Sequence, residues 1–158
     1  MTNEEIKAYI SSHFPDATFD ETGEWLNIII EPTKLKDMAV VLRGQPMQMD
    51  YLFNLTCVDW KTHLTMIYHF SSTIHRHNIV VKANLDRTTP SIETLCIIWR
   101  TAEMLEREVF EMFGVQFLNH PDLRKLILEE ETPKGVDETK GYWPLRKDFE
   151  DPINMIKL

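Results

Sequence analysis

The chain contains few cysteine and glycine residues, and their placement excludes several common chemistries. Its two cysteines, Cys57 and Cys96, are far apart and form no Cys-x-x-Cys pair. Zinc ribbons and iron–sulfur clusters usually take four thiolates, so two separated cysteines predict neither such a site nor a disulfide framework. The five glycines form no Gly-x-Gly-x-x-Gly motif, no phosphate-binding loop and no Gly-x-Ser-x-Gly motif. The sequence therefore argues against a self-contained redox enzyme or hydrolase.

Long hydrophobic runs are also missing. No unbroken apolar run exceeds five residues, whereas a membrane-spanning helix needs about 20. The first five residues, Met1 to Glu5, are polar and acidic, unlike the basic start and apolar stretch of a signal peptide. We therefore expect a cytoplasmic protein with no membrane span of its own.

The chain has fewer basic than acidic residues. The chain has 17 Lys and Arg residues against 25 Asp and Glu residues, which gives a formal net charge of −8. Proteins that bind nucleic acid or anionic membrane surfaces use Lys and Arg to neutralise phosphates, so this balance disfavours both partners. The length of 158 residues is typical of one domain that folds without disulfides.

Hydrophobic periodicity predicts both helices and strands in residues 1–118. The predicted helices span residues 2–14, 32–43, 47–56 and 89–113, the last with a break near Trp99, and the predicted strands span residues 25–30, 64–70, 78–85 and 115–118. The loop between the two alternating segments is short enough for an antiparallel hairpin. The pattern predicts an α/β (α+β) domain: a small mixed sheet with an antiparallel hairpin, packed by helices.

Residues 119–158 show no sustained periodicity and contain four prolines. Such a segment is either disordered or ordered by a partner. Its aromatic, leucine and arginine residues are common at interface hot spots and rare in disordered spacers. We therefore predict a globular domain over residues 1–118 and an extended partner-binding tail over residues 119–158. Trp143 in this tail is expected to enter an external pocket, and Arg146 to pair with carboxylates.

The long predicted helix carries several charged residues. Glu103, Arg107 and Glu111 are spaced by four residues, which is typical of a solvent-exposed ion-pair ladder. Glu106 instead falls among apolar neighbours, where a carboxylate needs a partner or a raised pKa. Acid–base chemistry at Glu106 is one alternative, and a buried salt bridge to a tail arginine is the favoured one.

The histidines and tryptophans have less specific patterns. His75 and His77 share a strand face, but with no third ligand evident a polar pair near a turn is favoured over a metal site. His120 precedes a proline and is expected to form hydrogen bonds at a chain turn. Trp60 and Trp99 are predicted to lie in the core.

Three motifs together resemble one known family. Residues 106–115 (EREVFEMFGV), 120–127 (HPDLRKLI) and 144–149 (PLRKDF) stand in the order and spacing found in the 30-kDa-type subunit of respiratory complex I. In bacterial NADH:quinone oxidoreductase this protein is the C-type subunit. The resemblance covers nearly the whole chain, and the length leaves no room for a fused D-type subunit, so the stand-alone form is expected. The chain departs from the family around residues 129–143, where contacts cannot be transferred.

The resemblance implies a structural subunit that holds no cofactor. Iron–sulfur clusters, FMN and quinone are expected on other subunits, and the tail is expected to lie on the D-type subunit, which holds the quinone site, near the B-type subunit. The complex would be peripheral on the cytoplasmic side of the inner membrane and would couple electron transfer to proton translocation. Together with the residue patterns, the resemblance gives the following candidate interface or tail-anchoring residues: Glu106, Arg107, Glu108, His120, Arg124, Trp143, Arg146 and Lys147.

Two alternatives remain open from the sequence. The same fold could serve a related membrane-bound hydrogenase or a dehydrogenase fed by ferredoxin or another carrier, because the electron-donor site lies on other subunits. The chain could also be a small independent enzyme that uses Glu106 or the histidines, although no motif points to a substrate.

Overall fold

The computed structural model describes residues 1–129 and 141–150. Helix α1 (Asn3–His13) begins at a capping box, in which the Thr2 hydroxyl accepts from the backbone N–H of Glu5 and the Glu5 carboxylate accepts from that of Thr2. Pro32 starts a short 3₁₀ turn that leads into helix α2 (Leu35–Arg43). Both helices confirm the predictions for residues 2–14 and 32–43.

The main sheet has five strands in the order β1-β2-β5-β4-β3. The bounds are Thr18–Asp20 for β1, Leu26–Ile30 for β2, Tyr51–Asp59 for β3, His63–Ser72 for β4 and His77–Asp86 for β5. Strands β2 and β5 pair in parallel, and the other neighbours pair antiparallel. The mixed sheet, its hairpin β4–β5 and the packed helices confirm the predicted fold class.

The predicted helix over residues 47–56 is wrong, because most of this segment belongs to strand β3. Its residues include Tyr51, Phe53 and Thr56, which favour strands. Residues of β3 pair with Leu64 to Ser71 of β4, and this pairing satisfies backbone N–H and C=O groups of the segment. Tertiary pairing therefore overrides a weak helical pattern.

The predicted helix over residues 89–113 is correct only in its second half. Residues Ser91–Glu93 form strand β6, which pairs in parallel with β7 (Gln116–Leu118) in a separate two-stranded sheet. Helix α3 begins later, at Ala102, and ends at Phe113. The short segment between β6 and α3 is a turn whose backbone is held by Glu106, as described below.

The five-stranded sheet has two different faces. On the inner face, Ile28, Met66 and Val81 are fully buried and pack in one core with residues of the three helices. On the outer face, Ile29, Ile67 and Lys82 alternate with them and are only partly buried. None of the helices in the described part of the chain is long and apolar enough to cross a membrane.

Candidate functional site

Helix α3 buries three charged side chains, which is unusual for a helix of twelve residues. Glu106 is completely buried, and Arg107 and Glu111 are almost so. The predicted solvent-exposed ladder of Glu103, Arg107 and Glu111 is therefore wrong at two of its three positions. The reason is that residues 119–129 fold back over this face of α3 and cover it.

Arg107 and Glu111 hold that segment through its backbone. The Arg107 guanidinium donates to the carbonyl oxygens of Arg124 at 3.0 Å and of Lys125 at 2.9 Å. One turn further along α3, the Glu111 carboxylate accepts from the N–H groups of the next three residues, at 2.9 to 3.1 Å; these are Leu126, Ile127 and Leu128. We call Glu106, Arg107 and Glu111, with residues 119–129, the α3 anchor.

Glu106 joins this helix to the turn after β6. Its carboxylate accepts from the Thr94 hydroxyl and, at 2.7 Å, from the backbone N–H of Leu95. Burial raises the pKa of Glu106 to about 7, although both hydrogen bonds act in the opposite direction. The predicted salt bridge to a tail arginine is wrong: the partners of Glu106 are neutral donors, with the ring of His120 beside them.

His120 lies 3.8 Å from Glu106, measured from Nε2 to Oε2. Its Nδ1 accepts from the N–H of Asp122 at 3.1 Å, so Nε2 carries the ring proton and donates to the carbonyl of Glu103, also at 3.1 Å. These bonds match the prediction that His120 forms hydrogen bonds at a chain turn.

Cys96, Glu106 and His120 are the one group within residues 1–129 and 141–150 whose ligand atoms lie close enough to hold a metal ion, all within 4.8 Å. The donor set does not fit this role well. The Nε2 of His120 is used as a donor, and both oxygens of Glu106 already accept hydrogen bonds. The cluster is better described as hydrogen bonds that fix the start of the segment on α3.

A second site holds residues 141–150 at the end of β3. Arg87 forms two parallel hydrogen bonds to the buried carboxylate of Asp59, both 2.9 Å long. Asp59 also accepts from the backbone N–H of Lys147 at 2.9 Å, and Arg87 pairs with Asp148. The hydrogen bonds from Arg87 hold the pKa of Asp59 well below its ordinary value. We call Asp59 and Arg87, with residues 141–150, the Asp59 anchor.

Trp143 and Arg146 complete the Asp59 anchor against the end of α3. The Arg146 guanidinium stacks 3.9 Å from the centroid of Trp143 and donates to the carbonyl of Phe113 at 2.7 Å. Gly114 has φ +74°, and a Cβ there would lie 2.3 Å from Cε2 of Trp143. Only glycine allows both this backbone and this contact. Trp143 therefore packs against its own chain, where an external pocket was predicted, and Arg146 pairs with a carbonyl and an indole.

The other predicted residues lie apart from these contacts or contribute only backbone atoms. Glu108 is exposed on α3. The Arg124 side chain is exposed and pairs with Asp122, while its carbonyl accepts from Arg107. Lys147 contributes its backbone N–H to Asp59. Their predicted role as contacts to other subunits stays a prediction.

The tryptophan and histidine predictions have mixed outcomes. Trp99 is buried as predicted, but Trp60 is 54% exposed at the turn between β3 and β4, so its predicted core position is wrong. His75 bonds to Gln48 through Nε2, and its ring lies 6.0 Å from that of His77. In the described ranges, the cluster of three metal-ligating side chains does not include either histidine, and the interpretation of a polar pair stays a prediction.

Sequence reasoning missed Asp59, Arg87 and Thr94 entirely. Asp59 is the last residue of β3 and Arg87 follows the last residue of β5, and these two strands are not adjacent in the sheet. Since the local pattern predicts a helix where β3 lies, it does not bring the two residues together. Glu111 was identified, but as an exposed residue.

The sequence matches known proteins over most of its length. Residues 28–153 match the family described as the 30-kDa subunit of respiratory-chain NADH dehydrogenase. The C-type subunit of the NADH-quinone oxidoreductase of Roseiflexus castenholzii is 31% identical over 155 residues, covering 94% of this chain and 84% of the relative. The C-type subunit of the F420H2 dehydrogenase of Methanosarcina mazei is 32% identical over 146 residues, covering 89% and 87%. In the C/D-type NADH-quinone oxidoreductase protein of Phocaeicola vulgatus, which is 38% identical over 133 residues, the match covers 83% of this chain but spans only 24% of the relative.

Solved structures agree with the fold. A trypsin-resistant fragment of Nqo5 superposes with a TM-score of 0.68 at 20% identity, covering 78% of this chain and 100% of the fragment. A chain of an archaeal membrane-bound sulfane sulfur reductase superposes with a TM-score of 0.69 at 26% identity, covering 93% and 85%. The family resemblance of the three sequence motifs is thereby confirmed, and the chain belongs to the 30-kDa subunit family of respiratory-chain NADH dehydrogenase.

Proposed function

We propose that the chain is the cofactor-free structural subunit of the peripheral arm of a proton-translocating NADH:quinone oxidoreductase. The observation that carries this proposal is the family match over residues 28–153, which includes both anchors. In this role the chain supports electron transfer to quinone by assembling the arm, which lies on the cytoplasmic side of the inner membrane. The isolated chain is inactive.

The α3 anchor supports a role in assembly. It fixes five consecutive residues by their backbone and leaves the side chains of Leu126 and Ile127 40% and 64% exposed. Apolar side chains held on a fixed backbone lose little further freedom when a partner covers them. The partner we propose is the D-type subunit, which holds the quinone site, with the B-type subunit nearby. The Phocaeicola vulgatus relative supports this choice, because its C/D name joins the two in one protein.

The properties of the cysteines support the absence of a cofactor. Cys57 is buried, and burial raises the pKa of its thiol to about 12, so it is a poor source of thiolate. Cys96 lies close to Glu106 and His120, and its backbone N–H donates to the Thr94 hydroxyl. We expect the purified protein to be colourless and to bind neither NADH nor flavin. Stoichiometric iron and sulfide in a monomeric preparation would contradict this part of the proposal.

The proposal is tested by purifying a tagged chain from native membranes in mild detergent and identifying the subunits that accompany it. We expect D-type and B-type subunits together with NADH-dependent quinone reduction. Recovery of the chain alone, or with unrelated proteins, would contradict the proposal.

A second candidate is the equivalent subunit of a complex fed by a different electron donor. The Methanosarcina mazei F420H2 dehydrogenase protein and the archaeal sulfane sulfur reductase chain favour it, since both match most of this chain. The same purification distinguishes the two candidates. Quinone reduction with NADH supports the first, and a complex that lacks an NADH-binding subunit and accepts electrons from another carrier supports the second.

A further inference from the structure

The outer face of the main sheet contains a groove of about 270 Å³ beside the turn between β3 and β4. Its lining includes the apolar side chains of Ile29 and Ile67, the ring of Trp60, and the polar side chains of Lys82 and Asn84. All the lining residues come from strands and this turn, so no helix contributes to the groove. The matching positions of the inner face are covered by the helices and fully buried.

Trp60 is held in one orientation although it is half exposed. Its indole N–H donates to the Thr65 hydroxyl at 3.1 Å, and that hydroxyl donates to Asn84 at 2.7 Å. The ring of His63 lies 6.4 Å away and nearly parallel to it. An exposed aromatic ring that is already fixed costs little entropy to bury, which is why such rings are frequent hot spots of interfaces.

Lys82 is a partly buried cation on the outer face of the sheet. No carboxylate within residues 1–129 and 141–150 forms an ion pair with it. The charge of Lys82 lowers the pKa of Asp20 only as the smallest of four influences, after the hydrogen bonds from Thr22 and burial. An ammonium group that pairs with none of the described carboxylates and lies beside apolar side chains is complementary to a carboxylate of another protein, and a chain of net charge −8 has few such cations.

The groove is continuous with the Asp59 anchor. The backbone N–H of Lys147 bonds to Asp59 at the end of β3, and its ammonium group lies 5.6 Å from the ring of Trp60. Trp60 therefore touches the C-terminal segment on one side and lines the groove on the other. A partner joined to, or seated on, the C-terminal segment comes close to the groove.

We propose that the groove binds a segment of the D-type subunit that places an apolar side chain on Ile29 and Ile67 and a carboxylate on Lys82. This inference rests on the proposed function, since it names the surface that meets the proposed partner. It predicts that contact with the D-type subunit extends from the Asp59 anchor across the outer face of the sheet.

The test uses the full tagged chain assembled in native membranes. Lys82→Glu and Trp60→Ala are compared with wild type by the amount of D-type subunit retained through a graded salt and detergent wash. Loss of a desolvated charge partner lowers affinity by about tenfold or more, so we expect at least this reduction in retention for Lys82→Glu. Lys34→Glu is the matched control, because it makes the same charge change at an exposed pair with Asp16, and it should retain the partner.

The outcomes separate the two proposals. A wild-type chain that retains no D-type subunit overturns both. A wild-type chain that retains it, while Lys82→Glu retains it equally well, overturns the groove alone.

A photo-crosslinking residue at position 67 identifies the occupant directly. A crosslink to a D-type peptide containing Asp or Glu supports the proposal, and changing that acid to Lys should restore retention of Lys82→Glu. A crosslink to residues 151–158 of the same chain, which lie outside the described residues, or to another subunit overturns it.

Discussion

The two anchors hold the C-terminal part of the chain by different means. In the α3 anchor, the hydrogen bonds from Arg107 and Glu111 to residues 124–128 all go to backbone atoms of that segment. In the Asp59 anchor, the side chains of Trp143, Arg146 and Asp148 make contacts of their own. The first anchor therefore fixes where the backbone lies. The second also depends on which side chains the segment carries.

Removing both anchored segments should have the largest effect. From periodicity alone, a chain ending at Leu118 should fold on its own. Truncation removes the backbone groups that Arg107 and Glu111 bind and uncovers this face of α3, while Asp59 keeps its two hydrogen bonds to Arg87. A hydrogen bond to a charged group is worth about 1.5–3 kcal/mol, so losing all those made by Arg107 and Glu111 removes a large part of the total stability of about 5–15 kcal/mol of a domain. We expect the truncated chain to lose cooperative unfolding in a denaturant titration; a cooperative transition like that of the full chain would contradict this.

Within the Asp59 anchor, Asp59→Ala should be the most damaging single change. It leaves Arg87 and the N–H of Lys147 without their shared partner, which we expect to cost about 3 kcal/mol in the free energy of unfolding. Asp148→Ala is the matched control. Its side chain is 65% exposed, against 1% for Asp59, so it should cost less than about 1 kcal/mol. Equal midpoints for the two variants in urea would show that the buried carboxylate does not organise the anchor.

The Asp59 anchor should also weaken in acid. Because the folded-state pKa of Asp59 is depressed, its contribution is present above the ordinary value of 3.8 and is lost as the pH falls below it. In urea titrations between pH 5 and pH 2, wild type should therefore lose more stability than Asp59→Ala. If the free energy of unfolding falls with pH equally in wild type and Asp59→Ala, the depressed pKa of Asp59 is contradicted.

Glu106 should respond to pH in the opposite direction. Its pKa is raised from 4.5 to about 7 in the folded state, so folding takes up a proton between these values and stability falls as the pH rises through them. The shift corresponds to about 3 kcal/mol lost between pH 4.5 and pH 7. Glu106→Gln removes the titrating group and still allows hydrogen bonds to Thr94 and Leu95, so this loss should disappear. An unchanged pH dependence in the variant would show that Glu106 is not the titrating group.

The smallest expected effect comes from two variants at position 127, which compare the backbone N–H with the side chain in the α3 anchor. Ile127→Pro removes the N–H that donates to Glu111 at 2.9 Å and should cost about 1–3 kcal/mol. Ile127→Ala keeps that N–H and trims a side chain that is 64% exposed, so it should change stability by less than about 0.5 kcal/mol. If the alanine variant is as unstable as the proline variant, the side chain contributes to the anchor after all.

Local sequence patterns predicted the parts of the fold that depend on neighbours along the chain. The capping box of α1, the proline before α2 and the alternation of β4 and β5 all act over a few residues. The errors fall where distant segments meet: β3 becomes a strand by pairing with β4, and β6 by pairing with β7. Glu106 was correctly placed among apolar neighbours, but Arg107 and Glu111 are buried by residues 119–129, which no pattern on α3 can reveal.

Backbone-only anchoring has a consequence for how proteins of this kind can diverge. Arg107 and Glu111 bond to backbone atoms of residues 124–128. Substitutions at Leu126 and Ile127 therefore change the exposed surface without displacing the backbone of this segment. During evolution, the protein bound at this surface can thus change through substitutions at these two exposed positions, while the backbone keeps its position on α3. In protein design, the same two adjacent positions can take new contact residues on a backbone that is already fixed.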